Sequence, residues 1–154
     1  MAIHRERGDL GELSYTLAYL GYAERGLGNL EMAREYVAEA LQTAIEIRIQ
    51  YSVLAALQGM ALILADQGEK ERALEVYALT SRYPIMEKSP MTRAVVGRHL
   101  TAVADSLPPK KVKATMARGQ EFDLWETALA LSARLGTDSQ KKPDSETPSS
   151  LPLL

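Results

Sequence analysis

Residues 17–40 read LAYLGYAERGLGNLEMAREYVAEA, and residues 57–80 read LQGMALILADQGEKERALEVYALT. A shift of 40 residues pairs Leu17 with Leu57, Gly28 with Gly68, Glu31 with Glu71, Ala33 with Ala73, Glu35 with Glu75 and Ala38 with Ala78. Six identities over residues 14–40 stand against roughly two supplied by average residue usage. The repeated positions have physical roles in a helical hairpin. Gly28 and Gly68 allow the left-handed turn that ends one helix and starts the next. Ala33 and Ala73 are small where two helices approach closely. A period of this length means one helix pair per repeat.

Outward from this core, apolar residues recur three and four apart, and no alternating strand pattern of useful length interrupts them. Leu13, Leu17 and Leu20 with Tyr19, Tyr22 and Ala23 make the stripe of one helix. Met32, Ala33, Tyr36, Val37, Ala40, Leu41, Ala44 and Ile45 make that of the next. Further helices are predicted at about 53–66 and 69–81, divided by Asp66-Gln67-Gly68. Ser89-Pro90 starts a helix, with Ser as N-cap and Pro in the first turn. It runs to about Ser106 and stops at Leu107-Pro108-Pro109. A short helix at about 110–118 is predicted to end at Gly119, and a last one at about 121–135 to end at Gly136. The expected fold class is all-α, an antiparallel helix-pair solenoid with C-terminal capping helices. Helix pairs fill residues 1–88, as a partial repeat over 1–12 and repeats over about 13–52 and 53–88. Capping helices fill 89–136, and TDSQKKPDSETPSSLPLL at 137–154 is too poor in apolar residues to order itself.

Composition narrows the chemistry. The 154 residues carry 18 Lys+Arg against 20 Asp+Glu, two His and no Cys. There is no basic excess for neutralising phosphates, so direct nucleic-acid binding is not expected. Without Cys there are no disulfides, thiolate nucleophiles or Cys-based metal sites. The most apolar stretch, residues 53–65, contains Gln58 and falls short of the roughly 20 residues that a bilayer crossing needs. The start MAIHRERGDLGEL lacks the apolar core of a signal peptide. The reading is a soluble cytoplasmic protein without catalytic residues, metal or cofactor.

The helix-pair pattern resembles the tetratricopeptide repeat (TPR) family. Leu20-Gly21, Gly28, Ala33, Val37 and Ala40 carry the likeness in the first unit. Met60-Ala61, Gly68, Ala73, Tyr77 and Pro84 carry it in the second. Glu24 and Thr80 depart from the family's usual Tyr and Ala, and the spacing of 40 exceeds the family's usual length of about 34. The longer period is similar to that of kinesin-light-chain-type and bacterial regulatory TPR proteins. HEAT/armadillo repeats compete on period, and the Gly-x-x-x-x-Ala step favours TPR. Tyr77, Arg82-Tyr83-Pro84, Pro108-Pro109 and Trp125 also resemble the C-terminal region of large bacterial signalling ATPases and transcriptional regulators. No Gly-x-x-x-x-Gly-Lys-Ser/Thr run is present.

The resemblance implies a concave groove lined by the first helix of each pair. Position by position, Tyr15, Ala18, Tyr22 and Arg25 would face it in the first repeat, and Ala55, Gln58, Leu62 and Ala65 in the second. Such a groove suits a protein or peptide partner anchored on Tyr and Arg. The alternative is that Tyr15 and Tyr22 only pack against neighbouring helices. Residues 2–7 read as the last turn of a preceding helix, with Gly8-Asp9 as the loop after it. Tyr15, Leu17, Tyr19 and Tyr22 would then lie at an open solenoid end, covered by missing repeats, a partner or a second copy. A pocket between the repeats and the C-terminal helices would instead make a small-molecule sensor. His99 reads as structural, and Glu121, Asp123 and Glu126 as a helix-start cluster favoured by the dipole. Lys110, Lys111, Lys113 and Arg118 read as a solvated basic face. Phe122, Leu124, Trp125 and Leu129 are expected to fold the last helix onto the repeats.

Overall fold

The computed structural model describes residues 2–90 and 92–135, and side chains over 8–90, 92 and 94–135. All regular structure among these residues is helical: α1 (Ala2–Gly26), α2 (Leu30–Ile47), α3 (Gln50–Asp66), α4 (Lys70–Ser81), the single turn α5 (Pro84–Glu87), a π-helical segment (Thr92–Gly97) running into α6 (Arg98–Asp105), α7 (Pro109–Gln120), and α8 at 124–135. The tail expected at 137–154, and Gly136 before it, lie outside the described residues.

α1 and α2 pack antiparallel and closely at Gly21, where an added Cβ would lie 2.7 Å from Val37 and 3.3 Å from the Ala33 carbonyl. Ser14 Oγ donates to the Ala40 carbonyl at 2.8 Å, fixing the register. α1 runs parallel to α3, as Tyr22 bonding to Ala55 and Arg25 to Asp66 require. The two hairpin turns are copies of one another. Gly28 has φ 88° and Gly68 φ 87°. Gly28 N–H donates to Arg25 O at 3.0 Å and Asn29 N–H to Glu24 O at 2.9 Å. Forty residues on, Gly68 N–H donates to Ala65 O at 3.0 Å and Glu69 N–H to Leu64 O at 2.9 Å. This is the Schellman pattern, in which the glycine's αL conformation lets two N–H groups satisfy the last helical carbonyls. The repeat read in the sequence is therefore also a repeat of backbone hydrogen bonds.

Two expectations about segment ends change. No loop occurs at Gly8-Asp9: α1 is continuous from Ala2 through both residues. A lone glycine costs a helix interior roughly 1 kcal/mol, which is too little to break it without a proline or a competing contact. The region after Ser89 holds more than a cap. Ser89 Oγ accepts from Thr92 N–H at 3.3 Å, as its N-cap reading predicts. The helix it starts packs on α3 and α4, and α7 packs on α4 and α6. The two helices, joined by the Leu107-Pro108 turn, are called the third hairpin, but they differ from the first two. α6 and α7 meet only slightly, and α7 sits on α4, whereas α4 has no comparable seat on α2. The Pro108-Pro109 turn hides it from the glycine pattern.

α8 folds back along α4. Its leading end is held where Arg82 donates to the carbonyls of Gln120 and Phe122 and where the Arg48 guanidinium sits 4.5 Å from the Trp125 ring centroid. Near its far end Arg134 pairs with Glu69, and this holds the Glu69 carboxyl below the usual carboxylate range. Leu124, Ala128, Leu131 and Leu135 are buried, spaced four, three and four apart on one face. Leu129, expected in this cap, is instead 55% exposed. Five residues past Leu124 turn it about 140° away from that face.

Candidate partner-binding face

α1 and α3 bring four tyrosines together beside their shared contact. Tyr15 stacks on Tyr51 at 5.2 Å between centroids with planes 24° apart, and Tyr19 lies 4.5 Å from Tyr15, one helical turn on. Tyr51 Oη donates to Tyr15 Oη at 3.1 Å, and the Tyr15 and Tyr19 hydroxyls are hydrogen-bonded to each other. These three rings are half-buried, each with an edge open to solvent. Tyr22 lies deeper and donates to Ala55 O at 2.6 Å. Burial, helped by the Tyr19 and Tyr51 hydrogen bonds, pushes the Tyr15 phenol well above its ordinary range, and burial does the same to Tyr22. Both phenols are therefore protonated near neutral pH. The cluster offers rigid aromatic surface and hydrogen-bonding edges.

At the C-terminal end of α1, Arg25 grips Asp66 through two bonds, Nε to Oδ2 at 2.7 Å and Nη2 to Oδ1 at 2.9 Å. The same Nη2 lies 3.1 Å from His99 Nε2, so α1, α3 and α6 meet in one polar cluster. His99 Nε2 must accept this bond, which requires a neutral ring. Burial first and the Arg25 charge second lower the imidazole from its ordinary 6.5, opposed by Asp66. The unfolded chain therefore takes up this proton at higher pH than the folded one. This contribution to stability is complete above the unfolded value and is lost as pH falls through the folded one. We expect the urea midpoint to decline on acidification from about pH 7 to about pH 5 more steeply than in His99→Gln. Parallel curves for the two proteins would exclude His99 as the source.

The six groove residues named from sequence divide sharply. Tyr15 and Arg25 reach the surface. Ala18 and Leu62 are fully enclosed, Gln58 is 1% exposed and Tyr22 8%. These four are interior residues here rather than the lining of an open groove. Of the two further positions, Ala55 is also buried and Ala65 is half-buried. The reason is that α1 and the third hairpin both close over α3. The π-helical segment brings Thr92 Oγ1 within 2.8 Å of Gln58 Oε1, while Gln58 Nε2 donates to Thr80 Oγ1 at 3.2 Å. A buried amide with both ends satisfied is a structural cross-link. Beside it, Gln58, Tyr77, Ser81, Met86, Glu87 and Thr92 line a cleft of about 370 Å³, in the region where a sensor pocket was expected.

Sequence reading left Tyr51 and Asp66 out of the site and placed Tyr19 at the solenoid end rather than beside the groove. Tyr19 is one turn from Tyr15, and Asp66 lies 41 residues after Arg25, one repeat plus one residue along a parallel helix, so both left a signal. Tyr51 left none, because its position depends on where α3 begins. The remaining charged groups have local roles. Asp123 Oδ2 accepts from Glu126 N–H at 2.9 Å and so caps α8. Lys111 lies 3.8 Å from Glu71, and Arg118 lies 3.0 Å from Glu75. No cluster of three His, Asp or Glu able to hold a metal occurs among the described residues. None of their helices is long and apolar enough to cross a membrane. Comparison with models of known protein families, with curated proteins and with solved structures gives no match to this chain.

Proposed function

We propose that this chain is a TPR-type helical-repeat module without catalytic activity, which binds a protein or peptide partner. Its setting would be the C-terminal part of a larger cytoplasmic bacterial signalling or transcription-regulatory protein. The duplicated Schellman turns and the stacked hairpins support the repeat reading. The observation that carries the binding reading is the Tyr15, Tyr19 and Tyr51 cluster, half-open at the junction of two repeats. Tyr supplies large contact area with few rotamers to freeze, and hydroxyls tied to one another hold the rings in place before a partner arrives. Arg25 is less available, since Asp66 occupies two of its donors.

Tyr15→Ser with Tyr51→Ser tests the reading. Affinity capture from the source cells, with wild type and variant compared under conditions where circular dichroism shows both folded, should lose one or more partners in the variant. Identical partner sets would defeat the aromatic-face reading.

A further inference from the structure

We propose that copies of this chain associate head to tail. The acidic, leucine-bearing outer side of the first hairpin would dock on the basic, alanine-bearing outer side of the third hairpin of a second copy.

Leu10, Leu13, Leu17 and Leu20 follow a three-four-three spacing on α1, the spacing of a helix-packing seam. Leu10 is 41% exposed, Leu13 46% and Leu20 40%, with Leu17 buried beneath them, and Met32 of α2 is exposed as well. Tyr15 and Tyr22 face α3, so the apolar residues at this end are leucines and not the tyrosines that the sequence pattern suggested. The internal repeat identifies what such a side is built to meet. Forty residues on, Leu13, Leu17, Leu20 and Tyr36 correspond to Val53, Leu57, Met60 and Val76, all 1% exposed or less. The α3 part of this side, with Val53, Leu57 and Met60, is packed under α1 and α2. The complement of the first hairpin's outer side is accordingly another helical hairpin.

Charge selects which one. Together α1 and α2 carry eight acidic and four basic side chains, whereas residues 92–120 carry six basic and one acidic. Lys111 and Arg118 are turned to Glu71 and Glu75 of α4, which leaves Arg98, Lys110 and Lys113 exposed for an outside partner. Glu12, Glu35 and Glu39 stand exposed around the leucine seam. Two such seams facing each other would bring like charges together, which disfavours a symmetric pairing through this side. The outer side of the third hairpin is the opposite in both respects. Ala114 and Ala117 point away from the Thr115 and Gly119 face that packs on α4, and both are exposed, as are Lys110 and Lys113 beside them and Arg98 and Ala102 on α6. Small residues leave room for leucines, and lysine stems extend the apolar area while their ends meet carboxylates. Because the two surfaces differ, the contact is heterologous and propagates rather than closing at two copies.

Sedimentation velocity on the full chain tests this over about 10 μM to about 1 mM at low salt and in about 1 M salt. The expected result is a mass that rises past that of a dimer with concentration and returns to monomer in high salt. Leu13→Glu with Leu20→Glu blocks one end, and Lys110→Glu with Lys113→Glu blocks the other. All four residues are exposed, so folding should be retained. Each variant alone should associate about tenfold or more weakly, yet the two mixed in equal amounts should form a heterodimer that grows no further. A wild type that stays monomeric at the highest concentration overturns the proposal. So does a dimer that persists in the lysine variant, or a mixture that fails to pair. Neither substitution touches the tyrosine cluster, so this outcome is independent of partner capture there.

Discussion

Leu62→Ala should lower the free energy of unfolding by about 3 kcal/mol, within the range measured for buried leucines truncated to alanine. Leu62 is fully enclosed at the middle of α3, a helix whose residues from Ser52 to Leu64 are all buried. Truncation there loses the transfer free energy of the side chain and leaves a cavity that close-packed neighbours only partly fill. Urea unfolding followed by circular dichroism checks the value, with the midpoint moving and the slope unchanged. A shift below about 1 kcal/mol would mean that Leu62 is open to solvent or to a ligand. That outcome would restore the groove position read from the sequence.

The second large effect concerns a contact between backbones. At Gly119 an added Cβ would lie 2.2 Å from the Glu75 carbonyl oxygen and 2.8 Å from the Glu75 carbonyl carbon and Cα. None of these atoms is the end of a flexible side chain, so Gly119→Ala must push α7 away from α4. Overpacking of this kind costs about 1–3 kcal/mol and sometimes more, and an obstruction by main chain belongs at the upper end. We expect a large fall in melting temperature and loss of the Arg118–Glu75 pair, which is 3.0 Å long beside the contact. Gly8→Ala is the matched control. Gly8 lies in α1 with nothing within 4 Å of an added Cβ, so alanine there should raise stability by about 0.5–1 kcal/mol through helix propensity. Equal destabilisation by both substitutions would show that the Gly119 effect is not steric.

The glycines separate what was legible from what was not. Gly28 and Gly68 could be recognised as turn residues because an αL helix end is a local event, set by the residue itself and the few carbonyls before it. Gly119 looks the same in the sequence, and its predicted role was likewise to stop a helix. In the structure α7 runs on to Gln120, and Gly119 serves the approach to Glu75, 44 residues away in the chain. Similarly, the 3.6-residue period identified a helix at about 121–135, observed at 124–135, but not which leucines face inward. Leu129 was assigned to the cap, while Ala128, Leu131 and Leu135 fill it.

The candidate face divides along the same line. Tyr15 and Arg25 were readable as large anchoring side chains on the first helix of a pair. Which of their neighbours stay accessible depends on the third hairpin, whose Pro108-Pro109 turn carries no glycine signal. By itself the sequence determined the helices, the two αL turns and the 40-residue period, because each depends on interactions within a few residues or on a pattern repeated along the chain. Only the tertiary structure decided that Ala18, Tyr22, Gln58 and Leu62 are interior, that Tyr51 joins the aromatic cluster and that Leu10, Leu13 and Leu20 of α1 remain uncovered while Leu17 is buried. Burial is a property of which helices meet, and hairpins of nearly equivalent local sequence become different surfaces according to what is stacked on each side.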